Sequence, residues 1–102
     1  MDFDDAVREL SRFQGQAVLV QLRAVHGGFR FLELLDRINE VWSDTDASDA
    51  VYINFGDAEA GLTLRRSHFI EADWEPGWRR GEEGERLLRV RLGEVDVGFL
   101  AG

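Results

Sequence analysis

Short apolar runs with a period of two dominate this sequence, and turn-forming residues separate them roughly every ten positions. Alternate side chains of a β-strand point to opposite faces, so this period is typical of strands that bury one face. The predicted strands cover residues 17–25, 51–55, 62–64, 88–92 and 95–99, and a mixed pattern at 68–74 indicates a further, bent strand. The turn Gly93-Glu94 has glycine first, as a type II′ hairpin requires. The pattern therefore predicts a mainly antiparallel β fold.

The first residues follow a different period, because their apolar side chains recur every three or four positions. This spacing places them on one face of an amphipathic helix over residues 2–13. Asp2 can cap the first turn, and Gly15 follows the last one. We therefore predict an N-terminal α-helix whose apolar face consists of Phe3, Ala6, Val7, Leu10 and Phe13.

Residues 29–42 fit two structures, and the choice between them decides the fold. Gly27-Gly28 lies between two apolar segments, which predicts a tight hairpin and a second strand from Phe29. At about 100° per residue, however, the same segment has one apolar and one polar side, which predicts a helix. The apolar side would hold Phe31, Leu34, Leu35, Ile38, Val41 and Trp42. Local periodicity favours the helix at 29–42, and both alternatives stay open.

The length of the chain limits it to one domain. A chain of 102 residues, of which 44% are hydrophobic, can bury a single modest core. Neither an internal repeat nor a linker divides the sequence. We therefore predict an α+β domain over residues 1–102, built as a small antiparallel β-barrel or a strongly twisted sheet with the N-terminal helix as cover.

The composition excludes several chemistries. All 12 basic residues are arginine, and the chain has no cysteine. A lysine Schiff base, a thiol nucleophile, a disulfide and a thiolate metal site are therefore ruled out. The histidines His26 and His68 are isolated, and the acidic segment 44–49 is not followed by the glutamate that a calcium loop needs. We expect no enzymatic activity, no cofactor and no metal site.

The chain is acidic, with 20 Asp and Glu residues and a formal net charge of −8. This charge repels phosphate backbones at long range, which argues against nonspecific binding of nucleic acid. No apolar run is long enough to cross a membrane, and the acidic N-terminus is unlike a secretory signal. We therefore expect a cytoplasmic protein.

The most distinctive local feature is the segment Trp74-Glu75-Pro76-Gly77-Trp78-Arg79-Arg80, in which two tryptophans flank a turn and two arginines follow. Tryptophan and arginine are enriched in binding hot spots. The predicted partner-binding residues are therefore Trp74, Trp78, Arg79 and Arg80. The alternative is that one indole caps an open end of the barrel while the other is partly buried under the loop.

Two segments resemble the motifs of the Sm-like family of small β-barrels. Asp36, Ile38 and Asn39 stand in for the first motif, an apolar strand that ends in Asp-x-x-apolar-Asn. Leu62-Thr63-Leu64-Arg65-Arg66, followed by Phe69-Ile70, is similar to the second motif. The resemblance covers roughly residues 3–72 and implies an SH3-like barrel in which 29–42 includes a strand. It also implies that Asn39 and Arg65 would contact a nucleotide.

Taken together, these patterns favour a noncatalytic interaction module that binds a protein partner and forms a homo-oligomer, for which exposed edge strands are one route. Two alternatives stay open. One is an Sm-like ring that binds RNA. The other is an acidic inhibitor or immunity-type protein that neutralises a basic partner through its charge.

Overall fold

The chain begins with a helix and continues as strands that form one sheet. A computed structural model describes residues 1–26, 30–43, 49–56, 60–76 and 86–101. The elements are α1 (Phe3–Ser11), β1 (Ala17–Ala24), β2 (Arg30–Trp42), β3 (Ala50–Phe55), β4 (Gly61–Arg65), β5 (Phe69–Pro76), β6 (Arg86–Leu92) and β7 (Val95–Ala101). A short 3₁₀ helix, Arg66–His68, joins β4 to β5. The predicted N-terminal helix and the mainly antiparallel β architecture are confirmed.

The seven strands are ordered β4-β3-β2-β1-β7-β6-β5, and every neighbouring pair is antiparallel. β4 and β5 follow each other in the chain, yet they form the two edges of the sheet. Because only Arg66–His68 separates them, the two edges meet at this corner and the sheet curls. No ladder of hydrogen bonds joins β4 to β5 among the described residues. The sheet is therefore curled and open, and a closed barrel stays a prediction.

Helix α1 covers one face of the sheet, which we call the core face. Its residues Phe3, Ala6 and Leu10 are buried there. The Asp2 carboxylate accepts a hydrogen bond from the Asp5 N–H at 2.8 Å, which satisfies one of the free donors of the first turn. Gly15 has a φ of +81°, a left-handed conformation that glycine adopts without strain. The cap and the end of the helix are thus as the sequence predicts.

The Asp2 cap can be tested by substitution. Asp2→Ala removes the acceptor, and we expect it to lower the free energy of unfolding by about 1 kcal/mol in urea denaturation. Asp2→Asn keeps an acceptor oxygen while it removes the charge, so it should lower the free energy of unfolding by only a few tenths of a kcal/mol. Equal losses in the two variants would show that charge, and not the cap hydrogen bond, is responsible.

Residues 30–42 form the strand β2, so the helical alternative for 29–42 is wrong in this range. The first half of β2 pairs with β1, and its second half pairs with β3 after a register shift between Ile38 and Glu40. A helix would bury Leu34 and Leu35 together, whereas the strand packs Leu34 against the core and leaves Leu35 69% exposed. The backbone hydrogen bonds that β2 makes to strands on both sides outweigh the local helical period.

The sheet buries residues on both of its faces. The main core lies between α1 and the core face, and it includes Val20, Ile38, Ile53, Val97 and Phe99. On the opposite face, which we call the outer face, Leu19, Leu87 and Leu100 form a smaller buried cluster. The central strands are therefore buried on both faces of the sheet, while the outer face of β2, β3 and β4 remains accessible.

Candidate interaction surface

The outer face of β2, β3 and β4 carries an accessible pair of aromatic rings. In the strand register Trp42 lies opposite Tyr52, and Tyr52 lies opposite Thr63. The ring centroids of Trp42 and Tyr52 are 4.8 Å apart, and the ring planes are inclined by 34°. The indole is 39% exposed although it is a large apolar group. We call Trp42, Tyr52 and Thr63 the aromatic row. Aromatic side chains offer much contact area and have little conformational freedom to lose on binding.

Polar side chains lie on either side of the aromatic row. The neighbouring row along the strands consists of Glu40, Asn54 and Gly61, and the row on the other side ends in Arg65. The Arg65 guanidinium is half-exposed and lies 3.8 Å from the Asp49 carboxylate. The surface therefore combines two aromatic rings with an amide, a carboxylate and a guanidinium within reach of the sheet edge.

The edge strand β4 has backbone groups that point away from the sheet. Phe55 N–H donates to Ala60 O at 2.9 Å, and Arg66 N–H donates to Asp49 O at 2.7 Å. Hydrogen-bonded and non-hydrogen-bonded pairs alternate along an antiparallel ladder. These two bonds therefore show that the even-numbered residues of β4 direct their N–H and C=O groups toward β3. The N–H and C=O groups of Gly61, Thr63 and Arg65 consequently face outward. No other described strand pairs with them.

The other edge strand, β5, is partly covered. The Met1 amino group donates to Ala72 O at 2.9 Å, which satisfies an outward-facing carbonyl of this strand. Next to it, the rings of Phe3 and Phe69 pack edge to face with centroids 5.6 Å apart. Of the two edges of the sheet, β4 is thus the more open to pairing with another strand.

An apolar cavity of about 120 Å³ lies on the core face beside β4. Its walls include Val20, Leu22, Leu34, Phe55 and Leu62, and they are apolar almost throughout. A cavity of this size and lining accommodates a small apolar group, such as the end of one side chain.

An ion-pair network occupies the outer face of the sheet at β5, β6, β7 and β1. The Arg89 side chain is only 7% exposed, and its guanidinium donates to Asp73 at 2.9 and 3.1 Å and to Glu71 at 2.9 Å. It also lies 3.1 Å from the Glu75 carboxylate and 3.4 Å from that of Asp96. The hydrogen bond with Asp73 is the main reason that the pKa of Arg89 is raised.

Asp96 is the buried acid of this network, with a side chain that is 1% exposed. Burial acts to raise the pKa of Asp96, but the hydrogen bond and charge of Arg91, at 3.0 Å, and the charge of Arg89 hold that pKa below its usual value. Arg23 adds a further contact at 3.4 Å. These carboxylates are paired with arginines that lie on neighbouring strands, so the network ties β5 to the centre of the sheet.

The predicted partner-binding segment is only partly described. Trp74 lies on β5, half-buried, with its ring centroid 6.2 Å from that of Phe13. The Arg86 guanidinium lies 5.2 Å over the Trp74 ring. Trp74 therefore has a packing role in the core. Trp78, Arg79 and Arg80 lie outside the described residues, so their assignment stays a prediction.

The structure does not bring together the two residues that the Sm-like resemblance assigns to a nucleotide. Asn39 lies at the register shift of β2, where its side-chain oxygen would be 2.8 Å from a Cβ added to Gly56. Arg65 pairs with Ala50, at the opposite end of β3. With a rise of about 3.3 Å per residue along β3 and two strand spacings of about 4.8 Å across the sheet, the backbones of Asn39 and Arg65 are roughly 18 Å apart.

The serine next to His68 has a structural role. Ser67 N–H and Ser67 Oγ both donate to the Asp49 carboxylate, at 2.9 and 3.1 Å, and these bonds fix the 3₁₀ helix to the start of β3. Of the acidic segment 44–49, only Asp49 belongs to the described residues. Within the described ranges, no group of three His, Asp or Glu side chains could hold a metal ion.

No protein-family model matches this chain, and neither the curated proteins nor the solved structures give a match. The Sm-like resemblance therefore stays a prediction that rests on its own motifs. None of the helices in the described part of the chain is long and apolar enough to span a membrane.

Sequence reasoning missed the aromatic row. Trp42 ends the ambiguous segment 29–42, and in the predicted strand 51–55 Tyr52 alternates with the apolar residues Val51 and Ile53 and so falls on the polar side. The signal that could have found Tyr52 is its position between Val51 and Ile53, both of which are buried. An aromatic residue between two inward-facing side chains of a strand must face outward.

Proposed function

We propose that this chain is a noncatalytic module that binds a protein partner through the aromatic row and the open edge of β4. The observation that carries the proposal is the accessible contact between the rings of Trp42 and Tyr52, which lie two strands and one strand away from that edge. A few residues carry most of the binding energy in protein interfaces, and tryptophan, tyrosine and arginine are enriched among them. A free strand edge, in addition, can take up an extended segment through main-chain hydrogen bonds.

A segment that adds to β4 would alternate its side chains between the two faces of the sheet. Those on the outer face would lie beside Thr63 and reach Tyr52. Those on the core face would lie beside Leu62, near the apolar cavity. Affinity would thus come from the edge and the rings, and selectivity from the apolar group that the cavity accepts.

We further propose that the curled sheet belongs to the SH3-like or Sm-like class of small barrels. The support is the three-residue connection between the two edge strands, which brings β4 and β5 to one corner. Barrels of this class are closed or nearly closed by such an approach of their edges.

The other two functional expectations have less support. RNA binding through Asn39 and Arg65 would need two residues that lie at opposite ends of β3. An acidic inhibitor would act through the formal net charge of −8, but nothing in the described residues identifies a basic partner. Both expectations therefore stay predictions.

The proposal is tested by removing the two rings. The double variant Trp42→Ala, Tyr52→Ala is expected to stay folded, because neither ring is fully buried, and to lose at least about tenfold in partner affinity. Partners would be identified by affinity purification from the source cells with wild type as bait. The dissociation constant of each purified partner would then be measured by isothermal titration calorimetry.

A matched control is Ile70→Ala, which removes an apolar side chain that is 57% exposed on the opposite edge strand. It should leave the affinity unchanged. Full affinity in the ring-deleted protein, or an equal loss in the Ile70 variant, would contradict the assignment of this surface.

A further inference from the structure

The open edge of β4 fits a second copy of this chain. We propose that two copies pair through β4 in antiparallel orientation, with Thr63 of each copy facing Thr63 of the other across a two-fold axis. This inference names a partner for the proposed interaction surface and rests on that proposal for the choice of edge. The register, the side-chain complementarity and the condition of the other edge each support it.

The register follows from the alternation along β4. Only Gly61, Thr63 and Arg65 direct their N–H and C=O groups outward, so an added strand must place its own outward-facing residues opposite them. When the added strand is β4 of a second copy, full overlap of Gly61–Arg65 pairs Gly61 with Arg65 and Thr63 with Thr63. Since each hydrogen-bonded pair exchanges two bonds, the overlap gives about six main-chain hydrogen bonds.

The outer-face side chains complement one another in this register. Gly61 has no side chain, so Arg65 of the second copy can lie across it toward Asn54. The Asn54 side-chain oxygen is placed to accept, because it lies 3.6 Å from a Cβ added to Gly61. Glu40 follows in the same row and adds an opposite charge. The facing threonines form a cross-strand pair of a favourable kind.

Pairing also makes one continuous surface from the two aromatic rows. In each copy Trp42, Tyr52 and Thr63 lie in a line across the strands, and the two lines meet at the two-fold axis. The Leu62 side chains, which are partly exposed beside the apolar cavity, gain cover from the added strand. Because a five-residue strand pair makes a small interface, we expect a dissociation constant on the order of 10 µM.

Because the other edge strand, β5, is partly covered, we expect a closed dimer and not a filament. Met1 already donates to Ala72 O, and α1 packs beside β5 through Phe3. We therefore expect both copies to use the more open edge, β4, and two copies that pair through the same edge close on each other through an isologous interface.

The test is the association state of the full chain, measured by sedimentation equilibrium from about 1 to 500 µM. Wild type is expected to shift from monomer to dimer over this range. Thr63→Asp places like charges directly opposite each other and should weaken association at least about tenfold. Thr63→Pro removes an outward N–H that the sheet does not use, so it should give a folded monomer. Circular dichroism would verify the fold of each variant.

Two control variants separate the edge from general effects. Thr63→Val keeps strand propensity and should keep the dimer, and Ile70→Asp adds the same charge to the opposite edge strand and should also keep it. A wild type that stays monomeric over the whole range would overturn the inference, as would Ile70→Asp losing the dimer as completely as Thr63→Asp. Monomeric wild type that still binds another protein through Trp42 and Tyr52 would overturn only this inference. A dimer whose rings bind no other protein would instead confine the proposed function to self-association.

Discussion

Replacing Arg89 with methionine is expected to lower the free energy of unfolding by about 3 kcal/mol at pH 7, as measured by urea denaturation. Methionine keeps the apolar stem but removes every guanidinium donor. The side chain of Asp96, which is 1% exposed, would then lose one of its cations, and Asp73 would lose a bidentate partner. The estimate lies at the low end for a broken buried pair, because Glu71 and Asp73 are half-exposed and Arg91 stays bonded to Asp96.

The control for Arg89 is Arg12→Met, which breaks an exposed ion pair with Glu9 on α1. Such pairs contribute little, so the loss should stay within about 0.5 kcal/mol. A loss as large as that of the Arg89 variant would show that methionine itself, and not the network, is destabilising.

The effect of Arg89 should also depend on pH. The folded pKa of Asp96 is lowered, so the stability that this carboxylate contributes is present above its unfolded pKa and is lost as pH falls through the folded pKa. Arg89 stays charged throughout, since its pKa is raised. The difference between wild type and Arg89→Met is therefore expected to shrink below about pH 4, where the unfolded chain begins to protonate Asp96 while the folded protein still keeps it ionised. A difference that stays constant down to pH 3 would rule out the Asp96 carboxylate as its source.

The elements with clear local signals were predictable from sequence. Helix α1 follows from its apolar spacing and the Asp2 cap, and the hairpin of β6 and β7 follows from alternation around Gly93. The φ of +60° at Gly93 agrees with the predicted glycine-first turn. These signals act within a few residues, so a single sequence displays them completely.

The conformation of residues 30–42 could not be predicted locally, because its determinants are distant in the chain. β2 is held by β1 along its first half and by β3 along its second half. Gln21 shows the same limit: alternation places it on the polar side of β1, yet the structure buries it completely and its amide donates to Glu33. Sequence alternation assigns a face to a side chain, but it does not show which elements cover that face.

The candidate interaction surface was unpredictable for a related reason. Trp42, Tyr52 and Thr63 come from three strands, and only the register places them in one row. Trp74 and Trp78, in contrast, attract attention because they are close in sequence, although Trp74 packs against Phe13. Proximity along the chain favours segments such as 74–80, whereas a surface on a sheet is assembled across strands.

Replacing Phe99 with alanine is expected to lower the free energy of unfolding by about 4 kcal/mol, somewhat more than the loss expected for Arg89→Met. Phe99 is completely buried on β7, where it lies opposite Val20 on one side and Leu88 on the other. Alanine would lose the transfer free energy of the ring and leave a cavity that the paired strands cannot easily fill. Urea denaturation followed by tryptophan fluorescence and by far-UV circular dichroism would measure the loss.

The two probes also test how far the core acts as one unit. β7 joins β6 to the central strand β1, so a cavity at Phe99 weakens both halves of the sheet together, and the two unfolding curves should coincide. Phe99→Leu fills most of the volume and should cost about 1 kcal/mol. If the fluorescence and circular dichroism transitions did not coincide, one part of the sheet would be able to unfold before the rest, and the core would not act as one unit.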